Sequence, residues 1–113
     1  MKSLRNSVKL IGHVGKDPEV KTFGDRTKAA FSIATTDNYK NAKGEKVEDT
    51  QWHNIVIWGK LADVAEKYLK KGQEIVVEGR LVHRDFETDK GEKRHITEIN
   101  VNDLVMLGGK QDK

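Results

Sequence analysis

Two tryptophan residues at strand spacing are the side chains of this chain best suited to contact a ligand. Trp52 and Trp58 lie six residues apart in a segment of alternating character. Because successive side chains of a strand point to opposite faces, both rings are predicted on one face. The same alternation places polar Asn54 with the rings. Ile55 and Ile57 take the other face, which is predicted to cover a core.

Two further aromatic residues lie among basic side chains. Phe86 is in phase with Arg80 and Arg84, which predicts that all three lie on the outward face of one strand. Tyr39 lies in a polar, charged segment over residues 37–49, which is predicted to be a flexible loop. Four of the seven aromatic residues therefore occupy positions that a small core does not need.

Exposed rings beside cations suit an unpaired nucleic-acid strand. An unpaired base exposes flat π-faces, and its stacking on an aromatic side chain is worth ~1–3 kcal/mol. Nearby cations can then neutralise the phosphates. A competing interpretation is that the two Trp residues cover a subunit interface, and spacing alone leaves both open. The candidate base-stacking residues are Tyr39, Trp52, Trp58 and Phe86, and the candidate phosphate contacts are Lys60, Lys71, Arg80 and Arg84.

The elements that would position these residues are five strands and one helix. Alternation of apolar and polar residues predicts the strands, and a period of 3.6 residues predicts a helix that ends at Gly72. Asp17-Pro18 marks a break after the first strand, and Gly44 is predicted as a turn. The predicted strands cover residues 7–14, 28–35, 50–58, 75–82 and 95–106, and the predicted helix covers residues 61–71.

Three strands, one helix and two strands is the order of an OB-fold. We therefore predict an all-β, five-stranded, partly open Greek-key barrel with one helix between strands 3 and 4. SH3-like barrels lack that helix and are the second choice. Phe31, Phe23 and Tyr68 are assigned to the core or its margin. The length of 113 residues predicts one domain.

The composition argues against several classes of function. The chain has no cysteine, and its four histidines lack the spacing of a zinc site, so we expect no metal ion or cofactor. No nucleophile–base set is visible, so we expect no enzyme. No apolar run is long enough to span a bilayer and no secretory signal begins the chain, so we expect a cytoplasmic protein.

The charge distribution permits a polyanionic partner without establishing one. The net charge is +3, and the first 36 residues carry seven basic and three acidic side chains. Many proteins without such a partner have a similar balance, so the charge alone does not decide the function.

Long stretches of the chain resemble bacterial single-stranded DNA-binding proteins. The most specific stretch is residues 52–72, WHNIVIWGKLADVAEKYLKKG. Residues 6–20, with Gly12, Gly15 and Asp17-Pro18, are also similar to that family, as are residues 77–81 and 106–109. The similarity covers residues 4–109, nearly the whole chain.

The resemblance implies an OB-fold, usually assembled as a homotetramer, that binds single-stranded DNA with little sequence preference in replication, repair and recombination. It implies base stacking at Trp52, Trp58 and Phe86 and at an aromatic in the segment that holds Tyr39. Family members commonly have Trp at the positions of Tyr39 and Phe86, and Phe at the position of Trp58. Ring character is kept in each exchange, so the stacking role is expected to be kept as well.

The resemblance also sets expectations for the ends of the chain and for its location. Residues 1–109 are predicted to form the DNA-binding domain and residues 110–113 a short remnant. Family members typically continue into a linker with an acidic tip that recruits replication and repair proteins, and we do not expect such recruitment here. A location in the cytoplasm, at the nucleoid, is expected. The alternatives are an RNA-binding or primosomal OB module and a protein–protein assembly module.

Overall fold

The computed structural model describes residues 4–107 as six strands and one helix. The predicted domain end at residue 109 and the predicted remnant at 110–113 lie outside the described residues. The elements are β1 (Val8–Val14), β2 (Glu19–Phe23), β3 (Arg26–Lys40), β4 (Lys46–Trp58), α1 (Lys60–Tyr68), β5 (Glu74–Glu87) and β6 (Lys93–Met106).

Five of the strands form a closed barrel. The hydrogen-bonded order is β1-β5-β6-β4-β3, and β3 returns to β1. That last pairing is the shortest, joining His13 to Ala34 and Val14 to Ile33. All described pairings are antiparallel except β4 with β6. The prediction of an OB-fold with one helix between the third and fourth barrel strands is confirmed.

The core lies inside the barrel and is closed by the helix. Ile33, Ile55, Ile57, Ile75 and Val77 are buried in one cluster, so the inward faces predicted by alternation for β3, β4 and β5 are confirmed. The helix contributes Ala62 and Ala65 to the same cluster and packs against β3 and β4. No helix among residues 4–107 is long and apolar enough to span a membrane.

Two glycines allow neighbouring strands to approach closely. A Cβ built on Gly12 would lie 2.4 Å from the Ala34 carbonyl oxygen, and one on Gly79 would lie 2.2 Å from the Asn100 carbonyl oxygen. Real Cβ atoms do not approach a backbone oxygen so closely. Only glycine therefore fits at residue 12, where β1 meets β3, and at residue 79, where β5 meets β6.

The strand β2 was not predicted from the sequence. It forms a tight hairpin with β3, in which Phe23 pairs with Arg26 across a turn at Gly24 and Asp25. Gly24 has φ +65°, a conformation that glycine adopts without a Cβ penalty. Four of the five β2 residues are exposed, so β2 carries little of the apolar alternation that reveals a strand.

The hairpin of β3 and β4 is longer than the sequence predicted. The two strands remain paired from Lys28–Trp58 out to Lys40–Lys46, so the loop contracts to residues 41–45. Asn41 stabilises this turn, because its Oδ1 accepts hydrogen bonds from the N–H groups of Lys43 and Glu45. The flexible loop predicted over residues 37–49 is therefore mostly strand.

Candidate nucleic-acid interface

The face of the barrel that carries both tryptophans is continuous across five strands. On β4 the outward residues are Trp52, Asn54, Val56 and Trp58, and the cross-strand register extends their rows onto β3, β6 and β2. We call this surface the outer face. It also includes Glu19, Lys21 and Phe23 on β2, Arg26, Lys28, Ala30, Ser32 and Ala34 on β3, Arg94, Ile96, Glu98 and Asn100 on β6, and Arg80, Val82, Arg84 and Phe86 on β5.

Trp52 is exposed and is supported from below by small residues. Its side chain is 62% exposed. A Cβ built on Gly15 would lie 2.5 Å from Trp52 Cζ3, so the indole rests directly on the Gly15 backbone. Ala34, which pairs with Trp52 across the strands, leaves room beside the ring. The indole is therefore held at one edge while most of its surface remains open to solvent.

Trp58 is half-buried and lies within a group of cationic and aromatic side chains. The Arg26 guanidinium carbon is 4.5 Å from the centre of its ring, and Lys28 Nζ is 5.7 Å from it. The Phe23 ring lies 5.8 Å away, centre to centre, at an angle of 50°. The prediction that Trp52 and Trp58 share one outward strand face is confirmed by the register.

A shallow depression separates the two indoles. It has a volume of about 160 Å³, and its lining includes Ala30, Asn54 and Val56. Val56 is buried there but is not part of the barrel core cluster. The Asn54 side-chain amide donates a hydrogen bond to the Thr97 carbonyl oxygen at 3.3 Å. The outer face thus has a shallow depression between the positions of its two tryptophans on β4, and Glu19 and Glu98 also line it.

Phe86 lies at the far end of the outer face, on the hairpin of β5 and β6. Its ring is 44% exposed. Arg84, on the same face of β5, donates two hydrogen bonds to the Glu98 carboxylate at 3.1 and 2.9 Å. This bidentate hydrogen bonding, with the attraction of the carboxylate charge, raises the pKa of Arg84 above its usual value. Arg94, which pairs with Phe86 across the strands, is ion-paired with Glu92 at 3.0 Å.

The other predicted phosphate contacts are exposed but are distributed differently. Arg80 lies on the outer face of β5, opposite Asn100. Lys60 is the first residue of α1 and follows Trp58 by two positions. Lys71 lies beyond the end of α1, where its backbone N–H donates to Asp17 Oδ1 at 2.8 Å. Among the described residues, Lys71 has no contact with the rings of Tyr39, Trp52, Trp58 or Phe86.

Tyr39 is exposed, but it does not lie in a loop. It is in β3, paired with Val47 in β4, and its ring is 53% exposed. The register runs without a bulge between this pair and Trp52. By alternation Tyr39 therefore belongs to the opposite face of the hairpin from Trp52 and Trp58.

Four contributors to the outer face were missed by sequence reasoning. Phe23 was assigned to the core or its margin, which is wrong because its side chain is 51% exposed beside Trp58. Arg26 and Lys28 were not singled out, nor was the support that Gly15 gives Trp52. The Gly24-Asp25 pair between β2 and β3 is a recognised hairpin signal and could have placed Phe23 opposite Arg26. Tyr68 was also assigned wrongly, since it is exposed on α1.

The chain is similar to known proteins over most of its length. The chain is 46% identical over 107 residues to single-stranded DNA-binding protein 1 of Chlorobaculum tepidum, covering 93% of this chain and 66% of the relative. It is 43% identical over 109 residues to single-stranded DNA-binding protein 1 of Xylella fastidiosa, covering 95% of this chain and 80% of the relative. The chain thus spans about two thirds and four fifths of these relatives.

Two solved structures of single-stranded DNA-binding proteins have a similar fold. A structure described as the Plasmodium falciparum SSB complex with ssDNA has a TM-score of 0.85 and 36% identity, covering 96% of this chain and 98% of that one. A deletion mutant of the single-stranded DNA binding protein from Thermus aquaticus has a TM-score of 0.79 and 31% identity, covering 93% of this chain and 51% of that one. The model of the single-strand binding protein family matches residues 5–107. The resemblance noted in the sequence is confirmed, and the chain belongs to the single-strand binding protein family.

Proposed function

We propose that this protein binds single-stranded DNA with little sequence preference and acts in DNA replication, repair and recombination. The observation that carries the proposal is the open indole of Trp52, which is seated on Gly15 in the middle of a continuous outer face. The relatives named as single-stranded DNA-binding proteins support it, as does the similar fold in a structure with ssDNA. The protein acts by binding alone, without a catalytic step.

Stacking on exposed rings accounts for the lack of sequence preference. Every base has a π-face, so Trp52, Trp58 and Phe86 can each accept any base. Tyr39, on the opposite face of the β3–β4 hairpin, supplies a ring for a strand that passes around the hairpin. The cations of the outer face, with Lys60 and Lys71, neutralise phosphates. A location in the cytoplasm, at the nucleoid, fits this function.

The proposed function is tested by equilibrium binding of oligo(dT) over a range of salt concentrations. We expect log K to fall linearly with log[salt], with a slope of about −0.7 for each phosphate that a cation neutralises on a single strand. A matched duplex and a matched RNA oligomer are the competitors. Absence of binding at low salt, or an affinity that does not change with salt, would contradict the proposal. Preference for the RNA would favour an RNA-binding module instead.

The proposal includes a homo-oligomer, as the resemblance implies a homotetramer. On the outside of the barrel, Ile11 pairs with Val76 and Val76 pairs with Val105, which forms an apolar row across β1, β5 and β6. Ile11 and Val105 are both more than half exposed. A second copy of the chain could remove this row from water. Light scattering of Ile11→Lys should show a smaller species than the original chain, and an unchanged mass would exclude this surface.

A further inference from the structure

We propose that the β2–β3 hairpin forms a further nucleotide-binding subsite next to Trp58. In this subsite Phe23 stacks one base, and Lys21, Arg26 and Lys28 bind the phosphates on either side of it. The inference rests on the proposed function, since it extends the path of the same DNA strand beyond Trp58. It adds a stacking residue and three phosphate contacts to those expected from the sequence.

The cross-strand register places all five side chains on one surface. Phe23 pairs with Arg26, and Lys21 pairs with Lys28. Lys28 pairs in turn with Trp58 on β4. Because side chains of directly paired residues lie on the same face of a sheet, the hairpin continues the outer face without interruption. A strand lying on Trp58 therefore meets Phe23 and the three cations next.

The charges of the hairpin are arranged in a way that favours a bound anion. Lys21 and Lys28 lie directly opposite each other, and like charges in that position destabilise a sheet. Within residues 4–107, none of Lys21, Arg26 and Lys28 has an ion pair with a carboxylate. A phosphate between the strands would relieve this repulsion. The placement of two lysines directly opposite each other therefore points to a polyanionic ligand.

Trp58 holds the most versatile of these cations in position. The Arg26 guanidinium lies over the indole at 4.5 Å, a cation–π contact that restricts the motion of a long side chain. A guanidinium ordered in this way can still direct its N–H groups at a phosphate, which it binds in a bidentate manner. Because the Arg26 side chain is already ordered by Trp58, binding a phosphate costs it little further conformational entropy.

The geometry of the two rings indicates where a base can stack. Phe23 and Trp58 are 5.8 Å apart between centres and tilted by 50°, so the rings are in direct contact. A base cannot lie between them without separating them. The open half of Phe23 is available instead, because its side chain is 51% exposed. The subsite thus takes a base on the outward face of Phe23.

The test compares Phe23→Leu with Phe23→Tyr and with a control on the helix. Phe23→Leu removes the ring, and we expect the Kd for oligo(dT) to rise about fivefold, the low end of the energy of stacking one base. Phe23→Tyr keeps the ring and should restore the original Kd. Tyr68→Leu is the matched control, because Tyr68 is similarly exposed, at 54%, and lies on α1 rather than on a strand of the outer face. It should leave the Kd unchanged.

Lys21→Gln tests the phosphate contacts without disturbing the rings, since the cations over the Trp58 ring in the described part of the chain are Arg26 and Lys28. We expect the slope of log K against log[salt] to lose about 0.7 in magnitude, the value for one phosphate contact. Lys67→Gln, on the exposed side of α1, should leave the slope unchanged.

The outcomes separate this inference from the proposed function. If the original chain does not bind oligo(dT), the proposed function fails and the subsite fails with it. If the original chain binds but Phe23→Leu and Lys21→Gln behave like their controls, the function stands and the subsite is overturned. A loss of affinity in Phe23→Leu that Phe23→Tyr does not restore would also overturn it, because the ring would then not be the contact.

Discussion

The two ends of the outer face carry exposed rings but use their cations differently. At the β2–β3 end, Arg26 and Lys28 lie over the ring of Trp58 and have no carboxylate partner among the described residues. At the β5–β6 end, Arg84 is bound to Glu98 by two hydrogen bonds. The first end is therefore ready to bind phosphate, whereas the second has already compensated much of its positive charge.

This difference shows that charge counting alone does not locate a phosphate path. Arg84 lies in phase with Phe86, as the sequence predicts, but its positive charge is partly compensated by the Glu98 carboxylate. The Glu98 side chain is only 12% exposed, whereas the Arg84 side chain is 47% exposed, so water screens part of the attraction between them. We propose that bases stack at both ends of the outer face, and we expect the salt-dependent part of binding to be concentrated at the end that holds Trp58.

The largest effect is expected when the ring at each end is removed. Trp58→Leu should weaken binding of oligo(dT) by about 2 kcal/mol, and Phe86→Leu by about 1 kcal/mol, within the range for one stacked base. Trp58 should matter more because a base stacked there lies beside uncompensated cations. Binding of both variants should be measured at one salt concentration, with thermal unfolding as the control for folding. Equal losses would contradict the comparison.

A smaller effect is expected from disturbing the middle of the outer face. In Gly15→Ala the new Cβ would meet Trp52 Cζ3 at 2.5 Å and Ser32 Oγ at 3.0 Å, so the indole must move. We expect affinity for oligo(dT) to fall by about 1 kcal/mol, the low end of the value for one base. The salt slope should not change, because no cation is removed. A changed slope with unchanged affinity would show that Gly15 does not act through the ring.

The smallest effect on affinity is expected when the ion pair between Arg84 and Glu98 is removed. Glu98→Gln removes the carboxylate charge, so affinity should rise by about 0.5 kcal/mol and the salt slope should steepen by about 0.7. Glu92→Gln is the matched control, because its ion pair with Arg94 is more than half exposed on both sides and is screened by water. If both variants change the slope equally, the specific role of Glu98 in compensating Arg84 is excluded.

The barrel could be predicted from the sequence because its signals are local. Alternation along a strand determines which of its sides is buried, and it correctly placed Ile55 and Ile57 inside with Trp52 and Trp58 outside. The helix was found from its period. The strand β2 was missed because only Val20 among its residues is partly buried, so its pairing with β3 leaves little apolar pattern.

The interface was predicted less completely because it depends on long-range register. Phe23 has the residue type of a core position, and only its pairing with Arg26 places it beside Trp58. Glu98 lies 14 residues from Arg84, and nothing local indicates that they are bound. Tyr39 was placed in a loop because its neighbours are charged. The hairpin nevertheless continues into solvent with polar side chains, because the backbone hydrogen bonds between β3 and β4 are still formed there.

The central claim is that bases stack on the outer face, and tryptophan emission tests it most directly. The chain has two tryptophans, so Trp52→Phe leaves Trp58 as the only emitter and Trp58→Phe leaves Trp52. Each variant keeps a ring at the substituted position and can be titrated with oligo(dT) to saturation. We predict that emission is quenched in both variants. Emission that stays unchanged in both at saturating oligo(dT) would contradict the account.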